Sequence, residues 1–156
     1  MEMTLQRLAA TAVLGLSLAM PLTAGDLISE ALVEKAQKST EAITPKELKK
    51  LIDDETEFVA LDVREADMRM EGTFDAEKNI AIARGVLEFD VGAKIPDKKA
   101  LVVVYCRVGK SAVLAAQTMK QELGYSNVRY LQGGLDAWME EGYSIYNHFG
   151  EVKLAK

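Results

Sequence analysis

The chain has 156 residues and a formal net charge of −5, with 19 Lys and Arg against 24 Asp and Glu. This length fits one domain with a sizeable core, and the acidic balance, with no basic stripe, argues against a nucleic-acid partner. Because the sequence contains one cysteine, it has no internal disulfide framework. That cysteine is either a free reactive thiol or an intermolecular bridge.

Residues 1–24 have the pattern of a secretory signal peptide. Arg7 precedes a mostly apolar stretch from Leu8 to Met20, and the small residue Ala24 offers a cleavage point. The stretch is shorter than the roughly twenty residues that a membrane-spanning helix needs. We therefore expect cleavage near Ala24, with an uncleaved membrane anchor as the alternative.

Residues 25–41 are expected to form a helical extension ahead of the main domain. Within the predicted helix, residues 26–38, one stripe at helical spacing combines Leu27, Ile28, Ala31, Leu32, Lys35 and Ala36. Such a helix can pack on its own domain or mediate dimerisation. The sequence leaves a monomer and a homodimer open.

The next segments predict a helix and then a buried strand. Thr44-Pro45-Lys46-Glu47 indicates a helix start with a capping box, and the helix runs to about Ile52. Phe58–Asp62 is the strand, so Asp62 and Arg64 lie at its carboxyl end, where open α/β sheets place their sites. We expect the Asp62 carboxylate to accept bonds from loop N–H groups. Arg64 is expected either near the pocket or in a surface ion pair.

A short strand at Ile80–Ala83 and a short helix from about Val86 follow. Between them, Arg84 either faces the pocket or pairs with Glu88 at the i, i+4 spacing of a helix. A turn at Ile95–Lys99 leads into the next strand.

The central feature of the sequence is the segment Leu101–Ala112. Its valine-rich first part, Leu101–Tyr105, predicts a strand buried on both faces, which is typical of parallel sheets. Cys106 follows directly, and a helix begins near Ala112. Backbone N–H groups and the helix dipole at such a turn favour an anion, and the thiolate is the nucleophilic form of cysteine. We interpret Cys106 as a reactive thiol, with a buried small hydrophobic residue as the alternative.

The C-terminal part predicts one more strand and one more helix. Gly124 is placed as a helix C-cap, and Asn127–Leu131 is expected to be the last strand. A Gly133-Gly134 turn then leads into a helix that carries Trp138 in the core and ends at Gly142. Strands that alternate with helices in this way predict an α/β domain with a mainly parallel sheet and helices on both faces.

The sequence implies no metal site, because it contains no cluster of cysteine and histidine residues. His148, the one histidine, lies in a polar C-terminal tail and is expected at the surface.

Several motifs together resemble the rhodanese family. The segment Cys106–Ala112, Cys-Arg-Val-Gly-Lys-Ser-Ala, is similar to the active-site loop of rhodanese domains. Four further matches occur in the family's order: Asp62–Glu65, Asn79–Gly85, Gly124–Val128 and Leu131–Trp138. The resemblance covers about residues 42–143. It implies a domain with the rhodanese-like fold over residues 42–146 and a C-terminal tail over residues 147–156.

The resemblance implies a sulfurtransferase that needs no cofactor and no metal. Cys106 would be catalytic, taking sulfane sulfur from thiosulfate or polysulfide as a persulfide and passing it to a thiophilic acceptor. The substrate-binding residues would be Arg64 and the loop residues Arg107, Val108, Gly109, Lys110, Ser111 and Ala112. Backbone N–H groups of this loop would hold the terminal sulfur anion.

The resemblance and the signal peptide together imply a periplasmic protein. Its partners would be small inorganic sulfur anions and a redox or sulfur-acceptor protein. The helical extension and the export signal also resemble, more loosely, the periplasmic polysulfide-sulfur transferases of sulfur-respiring bacteria.

The chain departs from the family's pattern in two places. Residues 66–78 lack the usual Gly-His-Ile motif, and the loop has Ser111 and Ala112 where many relatives carry a basic residue and Ser. We therefore expect Arg107 and Lys110 to attract anionic donors locally, in an interaction that salt screens. The alternative is that both side chains point to solvent, or that Arg107 pairs with an acidic neighbour.

Other classes of function make different demands on the site. The alternative to a turnover enzyme is a sulfur carrier or binding module that delivers sulfur to a partner reductase. A cysteine phosphatase would need the pattern Cys-x5-Arg, but Ala112 occupies the arginine position and offers no guanidinium for phosphate. A binding module without catalytic chemistry is disfavoured by the presence of Cys106.

Overall fold

The computed structural model describes residues 24–154. Its helices are α1 (Ala24–Ser39), α2 (Pro45–Asp53), α3 (Leu87–Lys94), α4 (Lys110–Gln121) and α5 (Gly134–Glu140). Its strands are β1 (Glu41–Ile43), β2 (Val59–Asp62), β3 (Lys78–Ala81), β4 (Val102–Tyr105), β5 (Val128–Leu131), β6 (Ile145–Asn147) and β7 (Gly150–Val152). Two short 3-10 helices cover Met68–Glu71 and Arg84–Val86. The predicted signal peptide lies outside the described residues except for Ala24, so its cleavage stays a prediction.

Five strands form one parallel sheet in the order β1-β5-β4-β2-β3. The central strand β4 is fully buried along its length, as expected for a parallel strand covered on both faces. Because the strands run in the same direction, their carboxyl ends meet at one edge of the sheet. Arg64 follows β2 and Cys106 follows β4, and these strands are neighbours, so the sheet brings the two residues together.

Helices cover both faces of the sheet, and the side chains of β4 alternate between two cores. Val102 and Val104 pack on the side of α1, α3 and α4. Val103 and Tyr105 pack on the side of α2 and α5, together with Trp138. The predicted α/β fold is confirmed, as is the core position of Trp138.

Two helix-end signals in the sequence are confirmed in detail. Thr44 caps α2: its hydroxyl oxygen accepts the Glu47 N–H group over 3.2 Å, and its own N–H group donates to the Glu47 carboxylate over 2.8 Å. After α4, Gly124 adopts a φ of +75°. This left-handed glycine lies two residues after the C-cap residue Glu122, and Tyr125 N–H then donates to the Met119 carbonyl oxygen of the last turn over 3.0 Å.

Helix α1 packs against α4 of its own domain, which confirms the packing interpretation of the extension. The buried residues are Val33 and Ala36, whereas Leu27, Ile28 and Leu32 are exposed. The predicted apolar stripe is therefore wrong as the packing face except at Ala36. Val33 and Ala36 belong to the same core cluster as the buried side chains of α4. No helix within residues 24–154 is long and apolar enough to cross a membrane.

The sequence predicted β5 as the last strand, but two further strands follow it in the structure. β6 and β7 form an antiparallel hairpin, with Ile145 opposite Val152. Strands of three residues are too short to give a clear alternating pattern, which is why the sequence did not indicate them. The hairpin also pairs with the segment between β2 and β3, because Thr73 and Tyr146 exchange backbone hydrogen bonds of 3.0 and 2.7 Å.

Replacing Thr44 by alanine is expected to lower the free energy of unfolding by about 1 kcal/mol, because the first turn of α2 loses its cap. Urea unfolding followed by circular dichroism measures this loss. The exposed Thr56 has no comparable capping role, so Thr56→Ala is the matched control and should stay within about 0.5 kcal/mol of wild type. Equal losses in the two variants would show that the cap does not stabilise the fold.

Candidate active site

Cys106 lies on the turn between β4 and α4, at the carboxyl edge of the sheet. Its side chain is 5% exposed. The N–H group of Gly109 donates a hydrogen bond to the Cys106 sulfur over 3.2 Å. Gly109 can place its N–H group there because its φ of +87° lies in the left-handed region that glycine adopts readily. The loop thus presents a backbone donor to the sulfur, as an anion-binding turn does.

The N-terminus of α5 holds the other side of this loop. The N–H groups of Leu135 and Asp136 donate to the carbonyl oxygens of Cys106 and Arg107, both over 3.0 Å. Gly134 permits this approach, since a Cβ atom at its position would lie 2.3 Å from the Arg107 carbonyl oxygen. The glycine pair, which the sequence identified as a turn, therefore also supports the cysteine loop.

Asp62 and Arg64 form a buried ion pair at the end of β2. Arg64 Nη2 lies 2.7 Å from Asp62 Oδ2, and the two side chains are 1% and 2% exposed. Asp62 also accepts the backbone N–H group of Arg64 over 2.9 Å, which confirms its predicted role as an acceptor for a loop N–H group. Arg64 itself is therefore not a surface residue, although Nη1 of its buried guanidinium also lies 3.7 Å from the partly exposed Glu71 carboxylate.

The guanidinium of Arg64 also fixes the segment that follows it. It donates to the carbonyl oxygens of Met68 over 3.2 Å and Gly72 over 2.8 Å. These two residues lie at the ends of the 3-10 helix Met68–Glu71. Arg64 thereby holds both ends of this short helix beside the cysteine loop.

The charge states around this pair follow from burial and from the Asp62 carboxylate. Burial by itself lowers the pKa of Arg64, but the hydrogen bonds and charge of Asp62 outweigh it, so that pKa lies above its ordinary value. Burial, together with the Asp62 charge, raises the pKa of the Tyr105 phenol. Arg64 is therefore charged and Tyr105 neutral at physiological pH, with the guanidinium carbon 5.9 Å from the Tyr105 ring centroid.

A pocket of about 340 Å³ opens beside the cysteine. Its lining consists of Val63, Arg64, Glu65, Met68, Arg84, Cys106, Arg107, Val108 and Ser111. Five predicted site residues thus meet around one cavity: Cys106, Arg64, Arg107, Val108 and Ser111. The cavity is open to solvent on the side of the exposed residues Met68 and Val108.

The other three predicted residues have different places. Gly109 acts through its backbone N–H group, as described above. Ala112 is fully buried in the core. The Lys110 ammonium pairs with Glu30 of α1, and the two residues line a separate cavity on the α1 side of the loop. The structure therefore does not bring the side chains of Lys110 and Ala112 to the Cys106 pocket.

The basic side chains that the sequence assigned to donor attraction have acidic partners. Arg107 lies 2.9 Å from the Glu71 carboxylate and 3.5 Å from that of Asp136. Arg107 therefore pairs with acidic neighbours, which was the alternative that the sequence left open for it. Lys110 does the same through its contact with Glu30. Both interpretations of Arg84 also hold, because it lines the pocket and lies 2.9 Å from Glu88.

Sequence reasoning missed Val63, Glu65 and Met68 as lining residues. Met68 belongs to the segment in which the chain departs from the family's pattern, so no motif pointed to it. The one available signal was its closeness in sequence to Arg64 at the end of a predicted strand.

Within the described part of the chain, no group of three or more His, Cys, Asp or Glu side chains is arranged to hold a metal ion. His148 is exposed between β6 and β7, with its ring 3.7 Å from that of Phe149. Its predicted surface position is confirmed.

Comparison with known proteins finds a matching family model and a similar curated protein. The model of the rhodanese-like domain family matches residues 44–141. Over 104 residues the chain is 31% identical to the adenylyltransferase and sulfurtransferase MOCS3-2 of Zea mays. That match covers 64% of this chain and 21% of the relative, so the chain spans about a fifth of that protein's length.

Two solved structures cover most of the chain. The polysulfide-sulfur transferase homodimer of Wolinella succinogenes is 27% identical, with a TM-score of 0.65, over 83% of this chain and 90% of that one. A protein of unknown function from Rhodopseudomonas palustris, described as a possible tyrosine phosphatase, is also 27% identical. Its TM-score is 0.63, over 75% of this chain and 92% of that one.

The Gly134→Ala substitution is expected to destabilise the protein by about 2 kcal/mol or more, because the added methyl group overlaps the carbonyl groups of the cysteine loop. Urea unfolding followed by Trp138 fluorescence measures the effect. Gly92→Ala is the matched control, since a Cβ atom at that helical position meets nothing within 4 Å. It should stabilise the protein by about 0.5 kcal/mol. A neutral Gly134→Ala variant would contradict the supporting role of α5.

Proposed function

The chain belongs to the rhodanese-like domain family, and from this premise we propose that it is a sulfurtransferase acting through a persulfide on Cys106. It would move sulfane sulfur from an inorganic donor such as thiosulfate or polysulfide to a thiophilic acceptor. The observation that carries the proposal is the position of Cys106. Its sulfur lies 3.2 Å from the Gly109 nitrogen and lines an open pocket at the carboxyl edge of a parallel sheet.

In the first half-reaction, the Cys106 thiolate attacks the outer sulfur of thiosulfate. The bond between the two donor sulfurs breaks, and sulfite leaves with its electron pair. The outer sulfur remains on the protein as a Cys106 persulfide anion. The Gly109 N–H group, which donates a hydrogen bond to the Cys106 sulfur, would support negative charge in this loop.

In the second half-reaction, an acceptor such as cyanide attacks the terminal sulfur. The bond between that sulfur and Cys106 breaks, thiocyanate leaves, and the thiolate is restored. Two half-reactions that share one covalent intermediate give ping-pong kinetics.

Two features position the cysteine loop and the pocket wall in this scheme. They are the hydrogen bonds from α5 to the loop and the buried Asp62–Arg64 ion pair. The hydrogen bonds from α5 turn the Cys106 and Arg107 carbonyl oxygens away from the pocket. This arrangement keeps acceptor oxygens away from a negatively charged sulfur. Arg64 sets the position of the Met68–Glu71 wall through the two carbonyl oxygens it binds.

A phosphatase activity has little support in the site. Phosphate recognition by a cysteine phosphatase needs a guanidinium over the loop for bidentate binding. The residue at that place is Ala112, which is fully buried. Arg107 extends outward and is engaged by two carboxylates.

The test of the proposal is the intact mass of the protein before and after incubation with thiosulfate. The mass should rise by one sulfur atom, cyanide should remove that atom as thiocyanate, and Cys106→Ser should do neither. Because the chain has one cysteine, the serine variant is a clean control without any thiol. Thiosulfate turnover by Cys106→Ser would refute the assignment. A stable persulfide with negligible turnover to cyanide would favour the sulfur carrier.

We further propose that the protein is exported to the periplasm and that the mature chain begins near Gly25. The support is the short apolar run ahead of Ala24. N-terminal sequencing of the protein from a periplasmic fraction should give a first residue close to Gly25. Recovery of a chain that retains Met1 in the membrane fraction would contradict cleavage and favour a membrane anchor.

A further inference from the structure

The pocket beside Cys106 carries little net positive charge, although three arginines line it. Each of them has at least one carboxylate partner: Arg64 with Asp62, Arg84 with Glu88, and Arg107 with Glu71 and Asp136. Glu65 lines the pocket as well and adds a negative charge. A donor with two negative charges therefore gains little electrostatic attraction on entering.

The donors of the innermost arginine are also engaged. The Arg64 guanidinium binds both oxygens of Asp62 and the carbonyl oxygens of Met68 and Gly72. Ser111, which lines the pocket on the first turn of α4, is neutral. The buried guanidinium of Arg64 therefore has little remaining hydrogen-bonding capacity for the three oxygens of a sulfonate group.

The pocket instead offers apolar surface at its mouth. Met68 is 46% exposed and Val108 is 50% exposed, and both line the cavity that contains the Cys106 sulfur. They come from different elements, the 3-10 helix after β2 and the loop after β4. An apolar group attached to the transferred sulfur could cover both side chains and remove them from water.

We propose that this pocket selects sulfur donors with an apolar carrier group and at most one negative charge, such as organic thiosulfonates and persulfides, over thiosulfate. The inference rests on the proposed function and specifies its donor class. With a thiosulfonate, the Cys106 thiolate attacks the outer sulfur, the bond between the two donor sulfurs breaks, and the sulfinate leaves with the electron pair. Met68 and Val108 are the specificity-determining residues, because they contact the carrier group and not the transferred sulfur.

The experiment measures kcat/KM for methane-, ethane- and propanethiosulfonate and for thiosulfate, with cyanide as the common acceptor. Each added methylene should raise kcat/KM about three- to fivefold, the effect of burying one methylene group. The reactive end is the same throughout the alkyl series, so this slope reports contact with the carrier group rather than intrinsic reactivity.

Polar variants of similar shape test the assigned residues. Val108→Thr and Met68→Gln should each reduce the chain-length slope of kcat/KM across the alkyl series. Val152→Thr makes the same change on β7, outside the pocket lining, and should keep the wild-type slope. Ser111→Arg adds a basic group to the lining and should raise kcat/KM for thiosulfate by about three- to tenfold at low salt.

The outcomes separate this inference from the function on which it rests. Persulfide formation without any chain-length slope, or a slope unchanged in Val108→Thr and Met68→Gln, would overturn the donor class and leave the sulfurtransferase proposal standing. An unchanged thiosulfate rate in Ser111→Arg would contradict the charge argument. If no donor added sulfur to Cys106, both proposals would fail.

Discussion

The hydrogen bonds between the start of α5 and the cysteine loop are the constraint on which the site depends. The start of α5 binds two consecutive carbonyl groups, those of Cys106 and Arg107. Position 134 requires glycine, because a Cβ atom there would overlap both carbonyl groups. With these oxygens fixed on one side, the Gly109 N–H group faces the sulfur on the other. The chemistry of one side chain thus rests on backbone groups from elements more than twenty-five residues apart.

The buried Asp62–Arg64 pair holds the backbone of the pocket wall formed by residues 68–71. Removing two charges from water is costly, and such a pair persists only when its remaining donors are satisfied. Here the remaining donors bind carbonyl oxygens at both ends of a short 3-10 helix. Arg64 therefore holds the backbone at both ends of this wall, from which the side chain of Met68 lines the pocket.

Local sequence patterns predicted much of the fold and the position of Cys106 on the turn between β4 and α4. A few adjacent residues are enough to predict each of three features: the valine-rich strand β4, the Thr44 cap and the Cys106 loop. The pairing of charges could not be read in this way, because Arg107 meets Glu71 across 36 positions and Lys110 meets Glu30 across 80. Met68 was missed for the same reason, since only the folded chain brings it to Cys106. The face of α1 was misjudged because Val33, which lies outside the predicted stripe, packs inward beside Ala36, while the three large residues of the stripe stay exposed.

The strand order has a consequence for how the chain can be assembled during synthesis. The edge strand β1 pairs with β5, from which it is separated by β2, β3 and β4 in sequence, and the sheet has its centre at β4. A growing chain that has not yet reached β4 can form only the β2–β3 pair, and β1 must wait for residues 128–131. Such non-local pairing slows folding. A polypeptide of this topology can therefore close its sheet only after β5 has been synthesised, when about four fifths of the chain already exists.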